Sequence, residues 1–314
     1  MGVLGSKGNS GGIATETAER NSFENNIIKV QGNYFATGYI AGLGSLNTII
    51  KNNTITATSN TFTYGITLEA SQQSTIISNK ISLSSPACYG MELFSSNKNT
   101  INDNKITVEG YYKYGIAGYS SSKNEINNNI IETKNNGSNP NINRAQHSDV
   151  IGLGNTGILL IKNSTNNLIK SNEITSATNY TINITNSQNN TITQNLVRNK
   201  DNLGTKSIFT NDNNNIYDNG AYKLSLETDS KDLSSKAGQK IKLNATVIST
   251  SGNSNGATVT FQVGLNTAGT SPMQDGTAEI TYKIPNDWTK GYYPIIITAS
   301  KEDHVSTSIT LSGM

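Results

Sequence analysis

The first 221 residues repeat one short pattern of apolar and polar positions. In each copy an apolar residue is followed three positions later by Asn, and two positions after that by a second apolar residue. The first apolar residues of the copies are Phe23, Ile50, Ile76, Ile101, Ile126, Ile169, Ile192 and Ile216. Successive copies are 27, 26, 25, 25, 43, 23 and 24 residues apart. A period of about 25 residues predicts a solenoid of stacked coils.

A second half of the repeat supports the same alignment. Nine to twelve residues before each of these positions stands a small residue that an apolar residue follows. These small residues are Gly12, Gly38, Gly65, Gly90, Gly115, Gly157, Thr181 and Ser207. Both halves alternate over short stretches rich in Ile and Thr, which predicts strands, and the Asn, Ser, Thr and Gly between them favour turns over helix. Each copy therefore predicts one coil of two or three strands in a parallel β-helix of about eight coils.

The repeated Asn residues predict a structural spine. Stacking places equivalent positions of successive coils in one column, about 4.8 Å apart. An Asn at a turn can bond its own backbone and the Asn above and below, as amide ladders do in other stacked β structures. We therefore expect a ladder, and no ligand site, at these positions: Asn26, Asn53, Asn79, Asn104, Asn129, Asn172, Asn195 and Asn219.

After residue 221 the repeat stops and longer alternating segments begin. Six segments with strand patterns are separated by turn signals such as Ser251-Gly252-Asn253 and Asp275-Gly276. They cover Tyr222–Thr228, Lys240–Ser249, Thr258–Val263, Ala278–Ile284, Tyr292–Ala299 and Ser306–Leu311. The number of these predicted strands and their lengths are typical of an immunoglobulin-like sandwich. The sequence thus predicts a β-helix over residues 1–221 and an Ig-like β-sandwich over 222–314, in which Trp288 packs in the core or at its rim.

Composition narrows the classes of partner. The mean hydropathy is −0.44 and 34% of residues are hydrophobic, which fits the thin apolar columns of a solenoid better than a large globular core. The net charge is +2 without a basic stripe, so nucleic acid is not an expected partner. There is no apolar run of about 18 residues, so no membrane-spanning segment is expected. Gly12 and Ile13 already follow the repeat, and we expect the chain to be a fragment of a longer, exported protein.

Both halves of the chain resemble known families. The segment Asn190-Thr191-Ile192 with Asn195 resembles the repeat of the right-handed β-helix family that includes the NosD-type proteins. The segment Gly238–Ala245, with Val259 and Phe261, is similar to the Ig-like repeats of bacterial and archaeal surface proteins. Their order resembles the adhesin-like proteins of archaeal cell surfaces. The resemblance implies an extracellular or cell-surface location and contact with polysaccharide or with other cells.

Catalysis is not expected, although β-helices host lyases and hydrolases as well as binding proteins. Polysaccharide hydrolases need two neighbouring carboxyl groups. The column that contains Glu92 otherwise holds Thr67, Ala117, Leu159 and Asn183. The three arginines have no nearby Asp cluster, as a lyase would need. The sequence favours a non-catalytic stalk or binding module; the alternative is a fragment of a polysaccharide-active enzyme.

No cofactor or metal is expected either. The NosD name suggests copper, which His, Met and Cys ligands would bind. The two histidines, His147 and His304, fall in different predicted domains, and no His/Met/Cys cluster accompanies them. The single cysteine, Cys88, stands beside Tyr89-Gly90 and is predicted to be a small buried residue.

Two features are candidates for a ligand contact. The coil between Ile126 and Ile169 is 43 residues long, and its excess lies in Asn135–Asp149, which contains Arg144, His147 and Asp149. Such insertions form loops that often bind partners, or are only tolerated at the surface. The second candidate is the column Tyr64, Tyr89 and Tyr114. Its rings could pack on one another or, if exposed, form a platform for sugars.

Overall fold

A computed structural model describes residues 2–4, 10–42, 44–135, 155–177, 180–230 and 233–311. It divides into two compact units, Met1–Tyr217 and Asp218–Met314. The first unit is a parallel β-helix and the second a β-sandwich, which confirms the predicted all-β fold class. The immunoglobulin-like identity of the sandwich stays a prediction.

The described strands of the first unit form three parallel sheets of eight strands each. Sheet A contains β1 (Gly2–Leu4), β4 (Ile27–Gln31), β7 (Thr54–Thr58), β10 (Lys80–Ser84), β13 (Lys105–Gly110), β16 (Ile130–Asn135), β19 (Glu173–Ser176) and β22 (Leu196–Asn199). Sheet B contains β2 (Ser10–Glu16), β5 (Phe35–Gly42), β8 (Phe62–Glu69), β11 (Ala87–Phe94), β14 (Tyr112–Tyr119), β17 (Thr156–Ile161), β20 (Ile182–Ile184) and β23 (Ile208–Thr210). Sheet C contains β3 (Ser22–Glu24), β6 (Ile49–Lys51), β9 (Thr75–Ile77), β12 (Thr100–Asn102), β15 (Glu125–Asn127), β18 (Leu168–Lys170), β21 (Thr191–Thr193) and β24 (Asn215–Tyr217). A short 3-10 helix, Gly204–Ser207, precedes β23.

The repeat positions stack in the predicted register. Ile101 pairs with Ile76 on one side and with Ile126 on the other. The Ile side chains of these sheet C positions point into the lumen and are at most 1% exposed from Ile50 to Ile192. They join the inward residues of sheets A and B in one apolar cluster that runs through the coils. A single coil cannot bury its own apolar face, so each coil is stabilised by packing against the coils on either side of it.

The predicted Asn spine is present and its geometry is specific. The amide oxygen of Asn104 accepts the backbone N–H of Asn79 at 2.9 Å and the Asn79 side-chain amide at 3.0 Å. Asn104 makes the same two bonds to the oxygen of Asn129, both at 3.0 Å. Equivalent bonds run from Asn26 to Asn195. The residue before each Asn turns the corner with positive φ, as in Asp103 (54°), which Asn, Asp and Ser tolerate better than branched residues.

Two more ladders of the same kind lie at two bends in the connection from sheet B to sheet C. At the corner before sheet C, Asn99 binds Asn124, which binds Asn167 in turn, each backbone N–H donating to the next amide oxygen at 2.9 Å. At the corner after sheet B, the N–H of Ser96 donates to the hydroxyl of Ser121 at 3.0 Å. Each ladder residue again follows one with positive φ, such as Lys98 (60°) or Ser95 (49°). Thus the connections from sheet B to sheet C and from sheet C to sheet A are bonded to the next coil through side chains, whereas in the connection from sheet A to sheet B the N–H of Ser85 donates to the backbone carbonyl oxygen of Glu109 at 3.2 Å.

The column of glycines in sheet B marks a close approach between coils. A Cβ added to Gly90 would lie 2.4 Å from the carbonyl oxygen of Gly115 and 2.4 Å from a methyl carbon of Ile106. Gly65 and Gly115 would meet the equivalent atoms of their neighbours at 2.3 to 2.6 Å. A side chain at these positions would push adjacent coils apart. The small residue of the repeat is therefore required by packing.

The second unit contains two four-stranded sheets. One contains β25 (Tyr222–Glu227), β26 (Lys240–Ser249), β29 (Thr277–Lys283) and β31 (His304–Val305); the other contains β27 (Thr258–Val263), β28 (Asn266–Pro272), β30 (Ile295–Ser300) and β32 (Thr307–Leu311). Both sheets contribute to one apolar cluster. The sequence missed β28, whose Thr, Ala and Gly residues lack strong alternation, and the two-residue β31. Strand β30 begins at Ile295, not Tyr292, because Pro294 has no N–H to donate.

The spine predicts a specific cost for losing one amide. Asn104 is 1% exposed, and its removal leaves the N–H of Asn79 without the oxygen that it binds. We expect Asn104→Ala to lower the free energy of unfolding by on the order of 1 to 3 kcal/mol. Chemical denaturation measures the change.

Asn102→Ala is the matched control for this change. Asn102 lies in the same coil, but its side chain bonds only exposed partners, Asp103 and Asn128. It should change stability by less than about 0.5 kcal/mol. Equal effects of the two substitutions would contradict a stabilising ladder.

Candidate functional site on the outer face of sheet B

The outer face of sheet B carries a second apolar cluster, separate from the lumen. In β11 the side chains of Cys88, Met91 and Leu93 belong to the lumen cluster, and the alternating residues Tyr89 and Glu92 point to the opposite face. The buried members of this outer cluster are Phe62, Tyr64, Ala87, Tyr89, Tyr112, Tyr114, Ala117, Tyr119, Leu159 and Ile161. This face carries aromatic and titratable side chains that are not part of the lumen, and we take it as the candidate site.

The predicted column of tyrosines forms the centre of the cluster. The rings of Tyr64 and Tyr89 stack with centroids 5.0 Å apart and planes 11° from parallel, and those of Tyr89 and Tyr114 with 5.2 Å and 27°. Tyr64 is 7% exposed, Tyr89 1% and Tyr114 0%. The open sugar platform does not form at these rings. The spacing between paired strands places each ring directly on the next. The ring faces therefore contact one another and are not open to a sugar.

Glu92 lies among these tyrosines. Burial raises the pKa of its carboxyl group to about 7, and the negative charge of Glu69 adds to the shift. Burial also raises the pKa values of Tyr64, Tyr89 and Tyr119, and the charge of Glu92 contributes in each case. The phenol groups therefore stay neutral at physiological pH, and Glu92 is the group on this face that titrates near neutrality.

Glu69 and Glu92 are diagonal neighbours in adjacent coils. Thr67 pairs with Glu92 and Glu69 with Phe94, so the two glutamates are two positions apart along the same face. Sequence reasoning compared acidic residues only within one column and missed this pair. The signal was available, since the spacing of 23 residues between Glu69 and Glu92 is two short of the local period.

The carboxyl groups of Glu69 and Glu92 and the neighbouring tyrosine hydroxyls can hydrogen-bond a polyol. Glu92 can also exchange a proton with it. A carboxyl group with a pKa near 7 exists in both protonation states at neutral pH, which suits general acid or base chemistry. The negative charge of Glu69 makes ionisation of Glu92 less favourable, because two like charges would then lie close together. The hydroxyl groups of the neighbouring tyrosines can both donate and accept hydrogen bonds.

Lys113 holds the described ends of the long insertion from the lumen side of β14, opposite this face. It is fully buried in β14, and its ammonium group donates to the side-chain oxygen of Asn135 at 2.5 Å and to the carbonyl oxygen of Gly110 at 3.3 Å. Its backbone N–H donates to the side-chain oxygen of Asn155 at 2.9 Å. Burial lowers the pKa of Lys113 to about 8. The side chain and the backbone of this one residue thus hold the two described ends of the insertion, in the strand that also carries Tyr114.

The predicted contact residues of the insertion, Arg144, His147 and Asp149, lie outside the described residues. Their role stays a prediction.

Cys88 is buried, as predicted, and pairs with Lys113 across adjacent coils. Its sulfur lies 3.2 Å from the Ser85 hydroxyl oxygen. Burial raises the pKa of the thiol to about 11, so the thiolate is scarce at neutral pH. Since the thiolate is the nucleophile and the metal ligand, Cys88 has a structural role.

Comparison with known proteins gives one partial match. Residues 4–149 match the family described as "Periplasmic copper-binding protein (NosD)". The matched segment lies within the β-helix and is less than half of the chain, so the chain is a parallel β-helix protein with a region similar to NosD. No curated protein matches the chain.

The described residues do not fit a copper site. Among them, no group of three or more His, Cys, Asp and Glu residues could hold a metal ion. The Cys88 thiol is held by its hydrogen bonds, and His304 lies in the sandwich, where its Nε2 is 2.8 Å from the Ser249 hydroxyl oxygen. We derive no copper chemistry for this part of the chain. No helix in the described ranges is long and apolar enough to cross a membrane.

The raised pKa of Glu92 predicts a pH-dependent stability. Between the ordinary pKa of 4.5 and the folded value of about 7, the unfolded chain releases a proton that the folded chain keeps. The free energy of unfolding should therefore fall as the pH rises through this window and level off above it. We expect Glu92→Gln to remove this decline, a difference on the order of 1 to 3 kcal/mol between pH 5 and pH 8.

Denaturation curves at several pH values measure this difference. Glu125→Gln is the control, because Glu125 is exposed on β15 and should leave the pH profile unchanged. A profile of Glu92→Gln that parallels that of the unaltered chain would show that Glu92 titrates normally.

Proposed function

We propose that this chain is a non-catalytic, adhesin-like module of an extracytoplasmic surface protein. In this proposal the β-helix is a rigid spacer that presents a contact surface to glycans or to other cells. The immunoglobulin-like assignment of the sandwich belongs to the same proposal, because such domains recur in surface proteins. The matched family is described as periplasmic, which supports a location outside the cytoplasm.

One observation carries the proposal: two of the three connections between the sheets of a coil are bonded to the next coil through side-chain ladders. At Asn104, the Ser96–Ser121 step and the Asn99–Asn124 step, backbone N–H groups are satisfied by the neighbouring coil. Turns in most folds are bonded locally or to water. Here they resist separation of the coils, as suits a spacer that transmits force.

The contact surface in this proposal is the long insertion. Lys113, on the strand that carries Tyr114, bonds both described ends of the insertion. Loops held on a rigid scaffold are typical binding elements. Arg144, His147 and Asp149 would supply charged contacts there.

A second candidate function is a polysaccharide-active enzyme, which the Glu69–Glu92 pair favours. A carboxyl group with a raised pKa beside another carboxylate is the arrangement that glycoside hydrolysis uses. We rank it second because the rest of this outer cluster is apolar and buried.

Binding without turnover is the expected result. The purified chain should bind to a glycan array or to whole cells, and incubation with pectin, alginate or xylan, with and without calcium, should release no reducing ends and no unsaturated product. A variant in which residues 136–149 are deleted should keep its fold, because closure entropy changes slowly with loop length, and should lose most of its binding.

Two outcomes would contradict parts of this account. Sugar release that disappears in Glu92→Gln would favour the enzyme. Unchanged binding by a folded deletion variant would move the contact away from the insertion.

A further inference from the structure

The sandwich carries a fixed pair of stacked aromatic rings near its surface. Trp288 and Tyr293 lie in the connection between β29 and β30, with ring centroids 3.9 Å apart and planes 15° from parallel. The Tyr293 hydroxyl donates to the carbonyl oxygen of Thr289 at 3.0 Å. Gly264 packs against both rings, and its N–H donates to the carbonyl oxygen of Pro294 at 2.8 Å. These contacts hold the pair in place without a ligand.

The pair separates two surface depressions. One, of about 500 Å³, is lined by the rings together with Lys236, Thr289 and Lys290. The other, of about 400 Å³, is lined by the same rings with Leu265 and Tyr292. Trp288 and Tyr293 are partly buried, whereas Leu265 is 97% exposed and Tyr292 66%. Large apolar side chains that are this exposed beside a depression indicate a binding surface.

The charge and polarity of the larger depression indicate the kind of ligand. Its described lining contains two lysines, Lys236 and Lys290, and no Asp or Glu. Ser234, Ser235 and Thr289 add hydroxyl groups that can bond to sugar hydroxyls. Flat aromatic faces suit the C–H faces of pyranose rings, and ammonium groups suit carboxylates.

We propose that this depression binds acidic oligosaccharides, with Trp288 stacking on a sugar ring and Lys236 and Lys290 binding uronate carboxylates. The inference rests on the proposed function in so far as that function includes contact with glycans. It names the ligand class and adds a site that is separate from the β-helix. The aromatic pair is preorganised, so binding should require little rearrangement.

Trp288 is the only tryptophan of the chain, so its fluorescence reports on this site alone. A short oligogalacturonate, titrated into the full chain in calcium-free buffer, should give a saturable change in emission. The methyl-esterified oligomer, which has no charge, should bind at least about fivefold more weakly. Polyglutamate, which has the charge without sugar rings, should give no comparable signal.

Variants separate the two recognition elements, with affinity measured by calorimetry. Lys236→Ala with Lys290→Ala should weaken binding of the acidic oligomer about fivefold or more and leave the esterified oligomer unaffected. Trp288→Ala should weaken both, while Trp288→Phe keeps an aromatic face and should retain most of the affinity. Lys223→Ala with Lys242→Ala is the matched control, since both lysines are exposed elsewhere on the sandwich.

Equal affinity for the charged and esterified oligomers, or binding that survives Trp288→Ala in a folded protein, would overturn the site. A signal with polyglutamate as strong as that with oligogalacturonate would overturn the sugar class. If these titrations fail while the full chain still binds to cells or to a glycan array, the further inference fails and the proposed function stands. If no glycan or cell binds by any readout, the proposed function fails as well.

Discussion

The β-helix depends on how the chain satisfies its backbone N–H groups where each coil changes direction. Strand residues are bonded by the parallel sheets, but a corner breaks that pattern three times per coil, and a buried unpaired N–H is costly. In the connections from sheet B to sheet C and from sheet C to sheet A, the chain resolves this by placing a residue with positive φ at each bend and a polar residue directly after it. Asn104 shows the result, because its side chain receives two bonds from the coil before and its own two donors reach the coil after.

This constraint decides which residues remain free for function. The Asn and Ser of the corners, the Ile of the lumen and the Gly of sheet B are all required by stacking. Side chains that can take other roles lie on the outer face of sheet B, in the insertion and in the sandwich. The first of these holds Glu92 among stacked tyrosines, and the last holds the exposed edge of the Trp288–Tyr293 pair. This arrangement favours a rigid spacer that contacts its partners through side chains outside the stacked positions.

The sequence predicted the part of the fold that repetition makes visible. The Asn spine and the Ile columns were found because their spacing stays near 25 residues, and the structure confirms their register. The other two ladders were missed because Ser96 and Asn99 do not stand out in segments rich in Ser and Asn. Strand β28 was missed for a similar reason, since an edge strand of small polar residues has weak alternation.

The candidate site was less accessible to sequence reasoning. The tyrosine column was predicted from its spacing, but its burial was not, because both faces of β14 are buried and sequence alternation gives no direction. The Glu69–Glu92 pair depends on a diagonal contact, which a search by columns does not test. The role of Lys113 depends on where the ends of the insertion return to the coil, which no local pattern encodes.

Amide hydrogen exchange tests the central claim most directly. Corner residues in ordinary turns exchange rapidly, whereas the N–H groups of Asn79, Asn104 and Asn129 donate to the next coil. The account predicts that these three amides exchange as slowly as those of Ile101 and Ile106 in the adjoining strands. The amide of Asn255, which has only an exposed local bond in the sandwich, should exchange quickly. If the corner amides exchange as fast as Asn255 while the strands stay protected, the ladders do not hold the coils together.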